Sequence, residues 1–376
     1  MNVEELLAEL IRFPTEAPPG NEEECARFIG DYITDLHIAD CEVELHRFQP
    51  KRANLIARVG PSNIPGLMLS GHIDTVPAGD LRCWDSPPFE PRIQDNRLFG
   101  RGAADMKAGL AAMLKALELL RGSEMRRQLV FVATAGEEIG YDGLKSMIQH
   151  SKLTGRDASY GVIGEPTELK VVRAHKGGTT FRVAFQGRSA HTSRPELGVN
   201  AIENASLFIR ELIDWRKKLA ETYDPDLGSS ILTVAIIRGG VKSNVVPDAC
   251  ELTIDCRRIP LHTSETITEG LLSIIQNLRQ KDPSFRATVE MAFNNEPFIT
   301  AKDSPIVTLT EAIVGSESIV APYGTEAPAY QGLGISTVIL GPGSVEQAHI
   351  ANEFIELSEV RKAVSVYGEL IRRVCL

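Results

Sequence analysis

The chain reads as an α/β protein interrupted by an α+β insertion, and three features of its 376 residues carry that reading. Over the first part, short and fully apolar runs alternate with amphipathic helices. From Thr179 the pattern changes to alternating strands accompanied by two long helices. After Met291 the first style returns. Fully apolar strands between helices suit a largely parallel or mixed sheet covered on both faces, whereas alternation suits a sheet covered on one. A chain this long also exceeds what one core usually organises. The expected division is a larger domain from 1–176 and 292–376, with an inserted α+β domain at 177–291 that has a four-stranded sheet and two helices.

Each element has its own warrant. Apolar spacing of three and four predicts helices at Val3–Arg12 and Glu22–Leu36, separated by a Pro/Gly loop from Pro14 to Gly20. Apolar runs predict strands at Cys41–Arg47, Ala53–Val59, Gly66–Ser70, Gln128–Ala133 and Tyr160–Ile163. A long loop containing Trp84 precedes a strong Ala/Leu/Met/Lys helix at Met106–Leu120, and another helix is expected at Asp142–His150. In the insertion, strands are expected at Thr179–Gln186, Leu232–Ile237, Glu251–Arg257 and Ala287–Met291, with helices at Val199–Leu219 and Glu265–Leu278. The closing segment gives helix Pro305–Val314, strand Thr337–Leu340 and helix Ser358–Val374.

Composition excludes several classes. Hydrophobic residues at 43% and charged residues at 24%, without repeats or biased tracts, describe a soluble globular protein. A net charge of −10 and no basic cluster leave nothing to attract a phosphate backbone or an anionic membrane. The acidic, amphipathic start Met1-Asn2-Val3-Glu4-Glu5 is a helix and not a signal peptide, and no apolar stretch is long enough to span a membrane. Six scattered cysteines without C-x-x-C spacing fit a reducing cytoplasm. Cys250 and Cys256, at even separation in one strand, are expected to share a face as small buried hydrophobes.

Chemistry-bearing residues recur at strand ends. His72 and Asp74 in Ser70-Gly71-His72-Ile73-Asp74 close an apolar strand, and an aspartate two residues on can fix the histidine tautomer that leaves the other ring nitrogen free for a cation. Asp105 in Gly100-Arg101-Gly102-Ala103-Ala104-Asp105 precedes the Ala-rich helix, where capping is its plain alternative role. A dinucleotide loop is rejected, because no strand directly precedes it and Asp105 stands at the third glycine position. Glu137 and Glu138 follow a buried strand; one can bind a metal while its neighbour works as a base. Two carboxylates so close repel, and a divalent cation is the natural way to keep both ionised. Glu165 in Gly164-Glu165-Pro166 and His349 after Gly341-Pro342-Gly343 complete the set. Two imidazoles and three carboxylates suit zinc, cobalt or manganese rather than a thiolate site.

These five motifs, in this order and with an insertion before the last, resemble the co-catalytic zinc amidohydrolases, the family of acetylornithine deacetylase, succinyl-diaminopimelate desuccinylase, aminoacylase and glutamate carboxypeptidase. The resemblance implies a zinc-exopeptidase-like catalytic domain with a mixed central sheet flanked by helices, and an inserted dimerisation (lid) domain that makes the protein a homodimer. It implies two divalent ions, zinc or cobalt, with Asp105 bridging, His72 and Glu165 completing one site, and Glu138 and His349 the other. Asp74 would then orient His72, and Glu137 would be the general base. In Gly187-Arg188-Ser189-Ala190-His191, the histidine resembles the one that reaches the other subunit's active site as oxyanion donor. The same stretch misses the Gly-x-Ser-x-Gly elbow, so a serine hydrolase is not supported.

Asn244 and Arg257 match positions that hold the substrate carboxylate, with Arg258 an adjacent rival for that task. The segments Val172-Arg173-Ala174-His175-Lys176-Gly177 and Tyr323-Gly324-Thr325-Glu326-Ala327-Pro328 resemble acetylornithine deacetylases, and Glu326 is expected to meet a cationic substrate side chain. The Trp84–Pro91 stretch reads equally well as desuccinylase. The expected activity is therefore metal-dependent hydrolysis of an N-acyl amino acid, N-acetylornithine first, with desuccinylase or a related aminoacylase or carboxypeptidase as alternatives.

Overall fold

The computed structural model describes the whole chain, Met1–Leu376. Met1–Arg173, Ile299–Ile319 and Thr325–Leu376 form one compact unit; Ala174–Phe298 with Val320–Gly324 form a second. The second unit is longer than 177–291 at both ends. Strand Ala287–Asn295 continues past a register shift between Met291 and Phe293, and reaches a pairing of Asn295 with Gly178. A bulge resets the period of two, and that is where a reading by alternation stops.

In the first unit, one sheet runs in the order Cys41–Gln49, Arg52–Val59, Gln128–Thr134, Pro65–His72, Ala158–Ile163, Ser336–Ile339. These are six of the nine strands of that sheet; the first two pairings among them are antiparallel and the other three parallel. All of Gln128–Thr134 and all but the first residue of Pro65–His72 are buried, so the absence of alternation follows from cover on both faces.

The helices of this unit show their origin in the sequence. Helix Val3–Ile11 starts on a capping box in which Asn2 and Glu5 each accept the other's backbone N–H at 2.8 Å. Helix Ala108–Leu117 is buried at every position but Lys115. Its small residues permit close approach: a Cβ on Gly109 would lie 2.2 Å from the Gly164 carbonyl oxygen. Helices Val3–Ile11, Ala108–Leu117 and Leu357–Cys375 pack on one another and share a core with Leu67, Leu69, Leu129 and Phe131.

A further three-stranded sheet, Arg92–Gln94, Arg97–Phe99 and Phe354–Glu356, lies in stretches that read as loop. Strands this short show no periodicity. Their register, Phe354 opposite Phe99, brings the segment after His349 beside the segment before Asp105.

The second unit is an antiparallel sheet in the order Ile231–Gly239, Ala249–Arg258, Gly177–Gln186, Ala287–Asn295. Helices Ala201–Leu219 and Ser264–Lys281 pack against it, capped by Asn200 and Thr263. Phe181, Val183, Phe185, Leu252, Ile254, Phe208 and Leu271 form its core, which includes both Cys250 and Cys256. No helix of the protein is long and apolar enough to cross a membrane.

Candidate metal centre

Four neighbouring parallel strands release their C-terminal ends at one edge of the large sheet, where crevices in such sheets form. His72 is the last residue of Pro65–His72 and pairs in register with Thr134. After Thr134, Gly136 at φ 78° turns the chain into Glu137 and Glu138. Glu165 follows the end of Ala158–Ile163, and His349 follows Ser336–Ile339 through a glycine loop. Asp105 arrives by a different route, from the irregular turn Ala103–Lys107.

These side chains converge. His72 Nε2 lies 3.0 Å from Asp105 Oδ1 and 3.7 Å from Glu165 Oε1. His349 Nε2 lies 3.1 Å from Glu138 Oε1 and 3.3 Å from Asp105 Oδ2. Two groups of potential metal-ligand atoms result, His72 with Asp105 and Glu165, and Asp105 with Glu138 and His349, each within 4.8 Å. Asp105 faces both with separate oxygens. Glu137 also lies within that distance of His72 and Glu138.

One local role differs from expectation, and one alternative role falls away. The His72 tautomer is set by the backbone carbonyl of Asp74, which accepts from Nδ1 at 2.9 Å, while the Asp74 carboxylate stands 3.7 Å from that nitrogen. A carbonyl can only accept, so Nδ1 carries a proton and Nε2 is directed at Asp105. The Asp74 carboxylate instead accepts the backbone N–H groups of Gly136, Glu137 and Glu138 at 2.8–3.1 Å. Asp105 does not cap the following helix, which starts at Ala108 with Lys107 at its N-cap. Its backbone, at φ −121° and ψ 95°, has left helical geometry, and its carboxylate is taken by the two histidines.

Residues 68–373 match peptidase family M20/M25/M40. The chain belongs to peptidase family M20/M25/M40. Acetylornithine deacetylase of Pectobacterium carotovorum subsp. carotovorum (strain PC1) is 35% identical over 354 residues, covering 93% of this chain and 89% of that protein. The acetylornithine deacetylase of Aliivibrio fischeri (strain MJ11) is 34% identical over 342 residues, covering 89% and 88%. The M20 family metallo-carboxypeptidase Sso-CP2 from Sulfolobus solfataricus shares the fold with a TM-score of 0.79 at 20% identity, over 99% of each chain.

In this member of the M20/M25/M40 family, electrostatics sort the clustered groups. Burial and the nearby Asp105 push Glu165 up to about 7, against the opposing pull of His72. Enclosure and the carboxylates of Glu165, Glu138 and Glu326 hold Glu137 well above the usual carboxylate range, although His72 acts the other way. Burial disfavours charge on His72, yet Glu165 and Asp105 raise it well above the ordinary histidine value. His349, hydrogen-bonded to Asp105 and Glu138, rises to about 10. Asp105 is buried, but its two histidine partners lower it. Acid is thus crowded onto one edge, and the two histidines are the cations in direct contact with the triad carboxylates.

His191, Asn244 and Arg257 belong to the second unit and are exposed. His191 bridges to Val245, next to Asn244, and its Nδ1 lies 2.7 Å from the Ser193 hydroxyl. Arg257 bonds only its neighbour Asp255, at 3.0 Å. Arg258 is fully buried and committed to Thr179, Asn294 and the carbonyls of His262 and Asn295. Glu326 belongs to the first unit. It is 2% exposed, accepts from the Thr134 hydroxyl at 2.9 Å and is pushed up to about 8 by burial. His72 acts against that rise, while Asp74 and Glu165 add to it, so Glu326 lies among the groups of the metal cluster.

Proposed function

We propose that this family member is a metal-dependent amide hydrolase that removes the acyl group from an N-acyl amino acid, N-acetylornithine foremost. The observation that carries the reading is the pair of ligand triads sharing Asp105, with Glu137 beside both. Two imidazoles and three carboxylates are a nitrogen/oxygen set of the type that zinc and cobalt accept. The crowding of carboxyl groups fits as well, since a divalent cation ionises acids that burial and mutual repulsion otherwise hold protonated. His72, Asp105 and Glu165 would hold one ion, and Asp105, Glu138 and His349 the second. When bound, such ions supply an activated water near neutral pH and polarise the scissile carbonyl.

The chain's own residues do the rest. Glu137, raised in pKa and adjacent to both triads, takes the proton from the attacking water and returns it to the departing amine, which leaves far more readily when neutral. The Asp74 carboxylate holds the Glu137 and Glu138 backbone in place through three N–H groups. Arg257 and Asn244 bind the substrate carboxylate; the exposure of Arg257 and the saturation of Arg258 favour that choice. His191 donates to the oxyanion from the partner subunit of a homodimer. Support for dimerisation comes from the edge strand Ile231–Gly239, which presents Ile231, Ile236 and Ile237 to solvent.

The choice of N-acetylornithine rests on the relatives of that name and on the pairing of Arg257, for the substrate carboxylate, with Glu326, for a cationic side chain. Chelation should abolish activity, and zinc or cobalt should restore it. On the reloaded enzyme, kcat/KM should be highest for N-acetylornithine among N-acetylornithine, N-acetylmethionine and N-succinyl-diaminopimelate. Faster turnover of the succinyl compound would replace the deacetylase reading by a desuccinylase.

A further inference from the structure

Glu353 and Arg101 form a buried ion pair, Nη1 to Oε2 at 2.8 Å, with both side chains at most 3% exposed. Burying two charges is unfavourable unless their remaining hydrogen-bonding capacity is filled, and here the carboxylate is filled by backbone. Glu353 Oε2 accepts from Gly102 N at 2.9 Å, and Oε1 accepts from Ala104 N at 2.8 Å and Asp105 N at 3.0 Å. One carboxylate therefore holds the N–H groups of the very turn that carries Asp105. Arg101 Nη1 also donates to the Ile350 carbonyl at 3.1 Å, one residue after His349. The small sheet completes the attachment: Gly100 N donates to the Glu353 carbonyl at 3.0 Å, and Phe354 pairs with Phe99.

We propose that Glu353 is a positioning residue for the metal centre. It fixes Asp105 at the spacing at which one carboxylate serves both triads, and through Arg101 it ties that turn to the loop of His349. The inference rests on the metal reading of the triads. Glu353 itself touches no candidate ligand side chain and acts through the backbone of the Asp105 turn and through the Arg101 guanidinium. The sheet cannot do this work for Asp105 and His349, because the turn Ala103–Lys107 belongs to no strand and His349 lies well beyond the end of Ser336–Ile339 at a φ of 65°.

The test uses full-length protein and Co²⁺ as the probe. Glu353→Gln keeps the shape but presents an NH₂ to donors, so it should weaken Co²⁺ binding by about 10–100-fold, the range typical of partners that orient metal ligands. The Co²⁺ absorption spectrum should change, and kcat should fall further than KM rises. Glu353→Asp, which keeps the charge, should recover part of the affinity. Arg101→Lys, which keeps the ion pair but not the reach to Ile350, should lose less affinity than Glu353→Gln. Should a variant not fold, the unsubstituted protein still decides: the amides of Gly102, Ala104 and Asp105 should exchange as slowly as those of the large sheet, and fast exchange overturns the proposal. A Glu353→Gln protein with a lower melting temperature but unchanged Co²⁺ affinity and spectrum overturns it too, leaving a merely structural pair. Failure of the unsubstituted protein to bind Co²⁺ would instead remove the metal reading, and this inference with it.

Discussion

His72, Glu138 and Glu165 are held by strand ends, whereas Asp105 and His349 are held by loops, and the two groups meet in one cluster. The first group inherits its geometry from backbone register. Neighbouring parallel strands fix where each terminus emerges, so a side chain one or two residues beyond is placed by the same hydrogen bonds that hold the sheet. The second group has no such source, and a buried ion pair with three backbone donors stands in for it. Each half also has its own anchoring carboxylate: Asp74 for the Glu137–Glu138 turn and Glu353 for the Asp105 turn. A site assembled from both kinds of support should respond differently when each is damaged.

The largest expected effect falls on the strand-held side. Glu137→Gln should retain metal and fold while lowering kcat by about 10²–10⁴, the usual contribution of a positioned base. Its neighbour sharpens the contrast, because Glu138→Gln should reduce metal content instead. Metal analysis beside steady-state kinetics separates the two; a reversed pattern would exchange their roles.

On the loop-held side, Arg101→Met strands the Glu353 carboxylate without its charge partner. Removing one member of a buried pair typically destabilises by about 3–5 kcal/mol, and chemical denaturation should show a loss of that order. A loss below about 1 kcal/mol, the surface ion-pair range, would mean that the pair is far better solvated than its burial implies.

These two kinds of support were unequally legible in the sequence. His72, Glu137, Glu138 and Glu165 stand where fully apolar runs break into glycine and acid, a pattern that period and composition expose directly. Glu353 gives no such signal. Asn352-Glu353-Phe354 belongs to no motif or periodic run, and the strand there spans only Phe354–Glu356. The burial of Glu326 was hidden for the same physical reason, since burial of an acid depends on what packs over it and not on its neighbours in the chain. The irregular turn at Asp105 and the bulge at Met291 escaped because both interrupt the periods on which such readings depend.

A smaller effect tests how tightly the strand-held side is packed. Gly109→Ala places a methyl against the Gly164 carbonyl, and overpacking of this kind typically destabilises by about 1–3 kcal/mol. Because Gly164 precedes Glu165, the variant should also shift the balance between the two metal sites. Metal titration of the stable fraction would show it; a lower melting temperature with unchanged binding would confine the damage to the core.

The smallest change in the cluster is Glu326→Gln, which sharpens the contrast between a saturated buried carboxylate and an unsaturated one. Glu353 has a donor for every oxygen, but Glu326 Oε1 has no hydrogen-bond partner. Burial raises Glu326 from 4.5 to about 8, so the folded protein keeps a proton that the unfolded chain releases. Its contribution to stability is therefore fully present below about pH 4.5 and declines as pH rises, reaching its floor above about 8. Glutamine preserves the shape and cannot ionise. In metal-free protein, the melting temperature of Glu326→Gln relative to the unsubstituted chain should climb from pH 5 to pH 8 and level off above it. A difference independent of pH would show that Glu326 ionises in the metal-free fold as it does in the unfolded chain.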